Sequence, residues 1–340
     1  MNKRPMIRKP SKGTTKSPRK TTNIQVTKEK DKSEEAINKY KEYLEVERNY
    51  SNYTVDGYIR DINDFYEYLK MEKLGNLISI THTNVPRYYL SYLSTSLALS
   101  KKSIARKLSS LRTFYRFLER SEIIDVNPFD MVETPKADKT LPQVLYPNEI
   151  KAIFDSIDTT TSLGKRDRLI VELLYGTGMR VSELCGLKPS DIDYSNNMIK
   201  VFGKGHKERY VPMNIHIVEA LKAYLEVARP EIMLKKELED HGFLLVNSHG
   251  GPLTTRGVRL IIENIGMNLP EHIKAHPHTF RHTCGSDLLC GGADLRVVQE
   301  ILGHANLSTT QIYTHVSKEQ IKKVYLEHHP RQTQVNEKKK

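Results

Sequence analysis

Tryptophan is absent from this 340-residue sequence, cysteine occurs three times, and no apolar run approaches the roughly 20 residues that a membrane-spanning helix needs. A helical membrane protein is therefore excluded. The cysteines (Cys185, Cys284, Cys290) are odd in number and form no disulfide framework, and the basic start lacks the apolar stretch of a secretory signal. A reduced, cytoplasmic protein is expected. Net charge is also scarce in the part that can fold. The formal +12 has the look of a nucleic-acid footprint, but residues 1–32 hold eleven Lys or Arg against Glu29 and Asp31, and Lys338, Lys339 and Lys340 close the chain. Residues 33–337 carry 39 basic and 39 acidic groups and no net charge. Any binding of nucleic acid by the folded part must rest on local arrangement.

The length suggests two domains at about 150 residues each. Residues 1–32, rich in Lys, Ser, Thr and Pro, cannot offset the entropy of folding and read as a disordered basic arm. From Ser33 apolar residues recur at helical spacing: Ile37, Tyr40 and Leu44, then Tyr58, Ile62, Phe65 and Leu69. A third helix is expected from Asn84 to Leu97. A fourth, capped at Ser100, buries Ile104, Leu108, Leu111, Phe114, Tyr115 and Leu118. This last helix also carries Lys101, Lys102, Arg106, Lys107 and Arg112, which read either as a solvated face or as a face laid along a phosphate backbone.

Four helices over 33–130 make a small bundle, and the proline-bearing stretch 131–145 reads as a linker. A second domain spans 146–331, and 332–340 is a basic tail. The second domain is mostly helical. It has a hairpin of Met198 to Phe202 and Arg209 to Met213 with Lys204 at its tip, and a short strand at Phe243 to Val246. The fold class expected is mainly α (α+β), with a small antiparallel sheet.

The chemistry concentrates in residues 276–315. His278 and His282, four apart, share a helix face as zinc ligands do, but Thr279 stands where the H-E-x-x-H pattern has glutamate, and Arg281 would set a cation beside the metal. A phosphate suits the group better. Arg281 lies one turn after His278, pairing a fork-shaped cation with a titratable imidazole. Arg180 opens a helix after Gly176-Thr177-Gly178, where free backbone N–H groups favour an anion, and Glu183 one turn later can hold it. Read singly, each has a plainer role: Glu183 as a surface partner of Arg180, His282 as a core group, Lys204 as a loop lysine, Tyr313 as a core tyrosine.

In chain order, Gly176-Thr177-Gly178-Met179-Arg180-Val181-Ser182-Glu183-Leu184, Gly203-Lys204-Gly205, His278-Thr279-Phe280-Arg281-His282, Leu302-Gly303-His304 and Tyr313 resemble the tyrosine site-specific recombinases. The run from Gly292 to His315 is similar to the Xer type. The resemblance covers residues 35–331. It implies an N-terminal core-binding (SAM-like) domain and a catalytic domain that together clamp double-stranded DNA. It further implies a homo- or heterotetramer on two sites, the latter with a second Xer-type recombinase, acting in the nucleoid without cofactor, metal or ATP.

The implied catalytic set is Arg180, Lys204, His278, Arg281, His304 and the nucleophile Tyr313, with Glu183 and His282 in support. The role expected first is chromosome-dimer resolution, and second the integration or excision of a mobile element. An arm of 32 residues is longer than in housekeeping Xer proteins, yet too short for the separate arm-binding domain of many phage integrases. The stripe Ile321, Val324, Tyr325 and Leu326 reads either as finishing its own domain's core or, as the resemblance implies, as docking on a neighbouring protomer, in which case deleting 319–340 would spare folding. A reading of another class, a non-catalytic helix-turn-helix protein, rests on Asp294 to Leu302 followed by a helix opening near Ser308.

Overall fold

The structure is a computed structural model of the whole chain and describes residues 23–80, 84–136, 143–203, 207–234, 240–303 and 317–331. The chain divides into two compact units, residues 1–140 and 141–340. The first unit holds α1 (Asn23–Glu42), α2 (Asn52–Met71), α3 (Asn84–Ser91) and α4 (Lys101–Arg120), with π-helical turns extending α1 and α3. Helix α1 begins ten residues before Ser33, so the last part of the expected disordered arm is helical. Its Lys and Glu residues are good helix formers and extend a helix anchored by Ala36, Ile37 and Tyr40.

The predicted stripes form the core of this unit. Ser51 and Ser100 cap α2 and α4 by accepting from the backbone N–H groups of Thr54 and Ser103. Six residues of the α4 stripe, from Ile104 to Leu118, are buried. They pack on Phe65, Tyr89 and Phe129, whose rings lie about 5 Å apart. Tyr115 keeps its buried hydroxyl satisfied by donating to the Leu77 carbonyl at 2.9 Å.

In the second unit, α5 (Pro147–Asp155), α8 (Ile215–Ala223), α9 (Arg229–Leu234), α10 (Thr255–Met267) and α11 (Pro277–Cys290) build one core with the long, buried α6 (Ser162–Thr177). An antiparallel sheet runs in the order β1 (Ile192–Asp193), β2 (Met198–Phe202), β3 (Glu208–Pro212). Short α7 (Val181–Gly186), α12 (Leu295–Leu302) and α13 (Lys318–His328) complete the described elements. The architecture is mostly helical with one small antiparallel sheet, as the sequence pattern indicates.

One expectation is corrected in this unit, and one helix was not expected. Phe243 to Val246 is no strand but an irregular core segment: Leu244, Leu245 and Val246 are buried in succession, yet the Leu244 N–H donates to the Leu187 carbonyl and no ladder forms along the segment. Only Val246 bridges Pro252. Helix α10 was missed by pattern reading, although Thr254 caps it and Val258 and Ile262 face the core.

For α13 the structure favours the own-core reading over the docking one. Ile321 and Tyr325 are buried in the core of their own domain, and the Tyr325 hydroxyl donates to the Gly176 carbonyl at 2.7 Å. His329, fully buried, packs between the rings of Tyr175 and Tyr325. Burial holds its imidazole down at about 4, so it is neutral here. Deleting residues 319–340 is therefore expected to destabilise the catalytic unit. Loss of one buried aromatic costs about 3–5 kcal/mol, which for a unit of this size lowers the melting temperature by about 10 °C. A calorimetric scan of the truncated protein checks this.

Candidate active site

Two left-handed glycines shape the site. Gly178 ends α6 with φ +61°, and a Cβ there would lie 2.5 Å from Leu302 Cδ2. Gly303 ends α12 with φ +66°, and a Cβ there would crowd the Arg209 side chain at 3.1 Å. Both turns need a residue without a side chain. They bring the carbonyl ends of α6 and α12 together, where the helix dipoles attract cations.

Three arginines fill this place. Arg281, on α11, is 7% exposed and donates through its two terminal nitrogens to the carbonyls of Gly178 and Leu302. Arg180, just before α7, donates to the Gly303 carbonyl at 3.0 Å and to Glu183 Oε1 at 2.9 Å. Its side chain stays 37% exposed. Arg209, on β3, grips Glu183 with both terminal nitrogens at 2.9 and 2.8 Å and donates through Nε to the Ile301 carbonyl at 3.0 Å.

The electrostatics suit an anionic guest. Burial, and then the charge of Arg180, lower the Arg281 guanidinium to about 10, so it remains a cation at neutral pH. Burial alone would raise the Glu183 carboxyl; hydrogen bonds from Arg209 and its charge outweigh this, and the group lies below its ordinary value. Three guanidiniums against one carboxylate leave an excess of positive charge. A guanidinium has five N–H donors, and the two bonds that fix each of Arg180 and Arg281 leave others for a ligand.

His278 stands exposed in the first turn of α11. Partial burial, then the nearby His282 and Arg281, keep its imidazole below the ordinary value and hence neutral at pH 7, the form that accepts a proton. His282 is also exposed, which removes the reading of it as a core group. It lines a shallow groove with Gly285, Ser286 and Leu289.

Lys204, His304 and Tyr313 lie outside the described residues, but their flanks are placed. Gly203 donates to the Lys207 carbonyl at 2.8 Å across the hairpin, Gly303 ends α12, and Ser317 caps α13. The second helix of the helix-turn-helix reading, near Ser308, falls outside them too. The anion expected at the N-terminus of α7 is already present in the chain: the Glu183 carboxylate accepts from the Arg180 backbone N–H at 2.7 Å.

Three residues of the basic row on α4 have partners within their own unit. Lys107, only 12% exposed, and Arg106 both pair with fully buried Asp61 on α2. Arg112 donates to the carbonyls of Phe129 and Val132 and to Thr134. A buried carboxylate and a returning loop hold these three side chains, while the Arg106 side chain stays 56% exposed. Lys101 and Lys102 are exposed at the start of the helix.

Comparison with known proteins decides the family. The family model described as "Phage integrase family" matches residues 143–320, and that of its N-terminal SAM-like domain matches 37–122. The tyrosine recombinase XerC of Bacillus licheniformis is 46% identical over 290 residues, covering 85% of this chain and 94% of that protein. The chain belongs to the phage integrase family of tyrosine recombinases. The XerC of Bacillus subtilis is similar to the recombinase at 43% identity over 295 residues, 87% of this chain and 96% of the relative.

Among solved structures, XerH site-specific recombinase bound to difH substrate matches with a TM-score of 0.57 at 25% identity, over 84% of this chain and 82% of that one. The Tn1549 transposon integrase in complex with circular intermediate DNA matches with a TM-score of 0.62 at 22% identity, over 84% and 97%, and shares the fold. The recombinase is thus a Xer-like DNA-recombining enzyme. Among the described residues no helix is long and apolar enough to cross a membrane.

Sequence reading missed Arg209. It recognised the strand that carries it, but the side chain's partners lie at 183 and 301, and no local spacing points to them.

Proposed function

We propose that this recombinase cuts and rejoins double-stranded DNA at specific sites through a phosphotyrosine at Tyr313, and that its cellular task is chromosome-dimer resolution. The observation that carries the chemistry is the pair Arg180 and Arg281, near enough for their charges to interact, each fixed by two hydrogen bonds and each with N–H donors left over. A DNA phosphodiester resists attack because its anionic oxygens repel a nucleophile. Two fixed guanidiniums on the non-bridging oxygens neutralise that charge and stabilise the pentacoordinate transition state, at about 3 kcal/mol for a well-placed donor. His304 adds a hydrogen bond.

Tyr313 attacks phosphorus. A phenol with an ordinary pKa near 10 needs help to lose its proton at neutral pH, and His278, whose lowered pKa keeps it neutral, serves as the base. Lys204 gives a proton to the departing 5′-oxygen. The products are a 3′-phosphotyrosyl bond and a free 5′-hydroxyl, and the ester energy is kept. A second strand's 5′-hydroxyl then reverses the step, which pairs four protomers on two sites. XerH bound to its difH substrate supports DNA as the ligand, and XerC relatives at 41–46% identity support the chromosomal role and a place in the cytoplasm.

Because arginines supply the charge that two metal ions supply in many nucleases, cleavage of a nicked duplex is expected to persist in EDTA. Loss of cleavage that zinc or magnesium restores would contradict this chemistry. Mapping of DNA trapped on the protein in cells tests the role: one chromosomal locus is expected, and recovery of mobile-element ends would contradict it.

A further inference from the structure

Arg209 joins three parts of the site that are distant in sequence. It sits on β3 opposite Val201, so it belongs to the hairpin whose tip carries Lys204. Its fork holds both oxygens of Glu183, and Glu183 in turn accepts from the backbone and the side chain of Arg180. Its Nε donates to the Ile301 carbonyl, two residues before Gly303, whose own carbonyl accepts from Arg180 and whose missing side chain leaves room for Arg209. The side chain is 9% exposed and Glu183 3%, so water does not compete for these bonds.

We propose that Arg209 is a positioning residue for strand cleavage: through Glu183 it sets the Arg180 guanidinium, and through Ile301 it fixes the end of α12 that leads into His304. The inference rests on the tyrosine-recombinase reading of the site and adds a residue to it. Its chemical basis is shape as well as charge. Only a planar fork can bond both oxygens of one carboxylate and keep a third N–H for a carbonyl. A lysine keeps the charge beside Glu183 and loses this geometry. A loose Arg180 would still attract DNA, yet miss the transition-state oxygens, and a misplacement of about 1 Å costs about a hundredfold in rate.

The test is single-turnover cleavage of a nicked duplex at saturating protein, with site binding measured by gel shift and folding by melting temperature. Arg209→Lys is expected to cleave about a hundredfold more slowly, with binding within about threefold of the parent. Glu183→Gln is expected to lose a similar factor, and R209K/E183Q no more than the worse single variant, because the two side chains form one link.

Cleavage by Arg209→Lys within about threefold of the parent, while Glu183→Gln is impaired, overturns the proposal. So does a double variant whose losses multiply, which would show Arg209 acting apart from Glu183. Should Arg209→Lys fail to fold, Glu183→Asp takes its place. It keeps both charges and shortens the link, the same loss in cleavage is expected, and parental activity overturns the proposal. Failure of the site reading is separate, since the unsubstituted protein would then form no covalent adduct.

Discussion

Arg281→Lys is expected to slow strand cleavage by at least about a hundredfold while the protein still folds and binds its DNA site. Arg281 holds the Gly178 and Leu302 carbonyls with its two terminal nitrogens and keeps N–H donors for phosphate. A lysine ammonium, a point charge on a flexible stem, cannot serve both carbonyls and a phosphate oxygen in fixed directions. The charge remains, so affinity changes little and the salt dependence of binding stays near the parent's. Rates on a nicked duplex, read beside gel-shift affinities at two salt concentrations, check the split. A variant that binds tenfold more weakly yet cleaves at the parental rate once saturated would place Arg281 in DNA binding alone.

The parts of this molecule that were legible in its sequence are those set by short-range rules. The α4 stripe from Ile104 to Leu118 follows the helical period, and Ser51 and Ser100 mark helix starts by capping. That Arg180 and Arg281 come together was legible because each stands in a motif with few plain alternatives. What pattern could not supply was the partner of a side chain.

Lys107 and Arg112 read as part of a basic row, and no spacing shows that the buried Asp61 and the loop at Phe129 to Thr134 also bind them. Ile321 and Tyr325 show an apolar face, but spacing does not say whose core receives it. Arg209 is invisible for the same reason, since its meaning lies in residues 183 and 301. The run Leu244 to Val246 misled because three buried residues in a row suit a strand or an irregular core segment equally.

The largest effect is expected from a single oxygen atom. Tyr313→Phe removes the hydroxyl that would attack phosphorus and leaves Arg180, Arg281 and Glu183 in place, so DNA binding should stay within about threefold of the parent while cleavage is abolished. A duplex nicked close to the cleavage point decides this most directly. Once the strand is cut, the short fragment diffuses away and the protein is trapped on the DNA. On a denaturing gel the unsubstituted recombinase is expected to form a covalent protein–DNA band and Tyr313→Phe none. A covalent band of parental intensity from Tyr313→Phe would contradict the account, because the nucleophile would then be another residue.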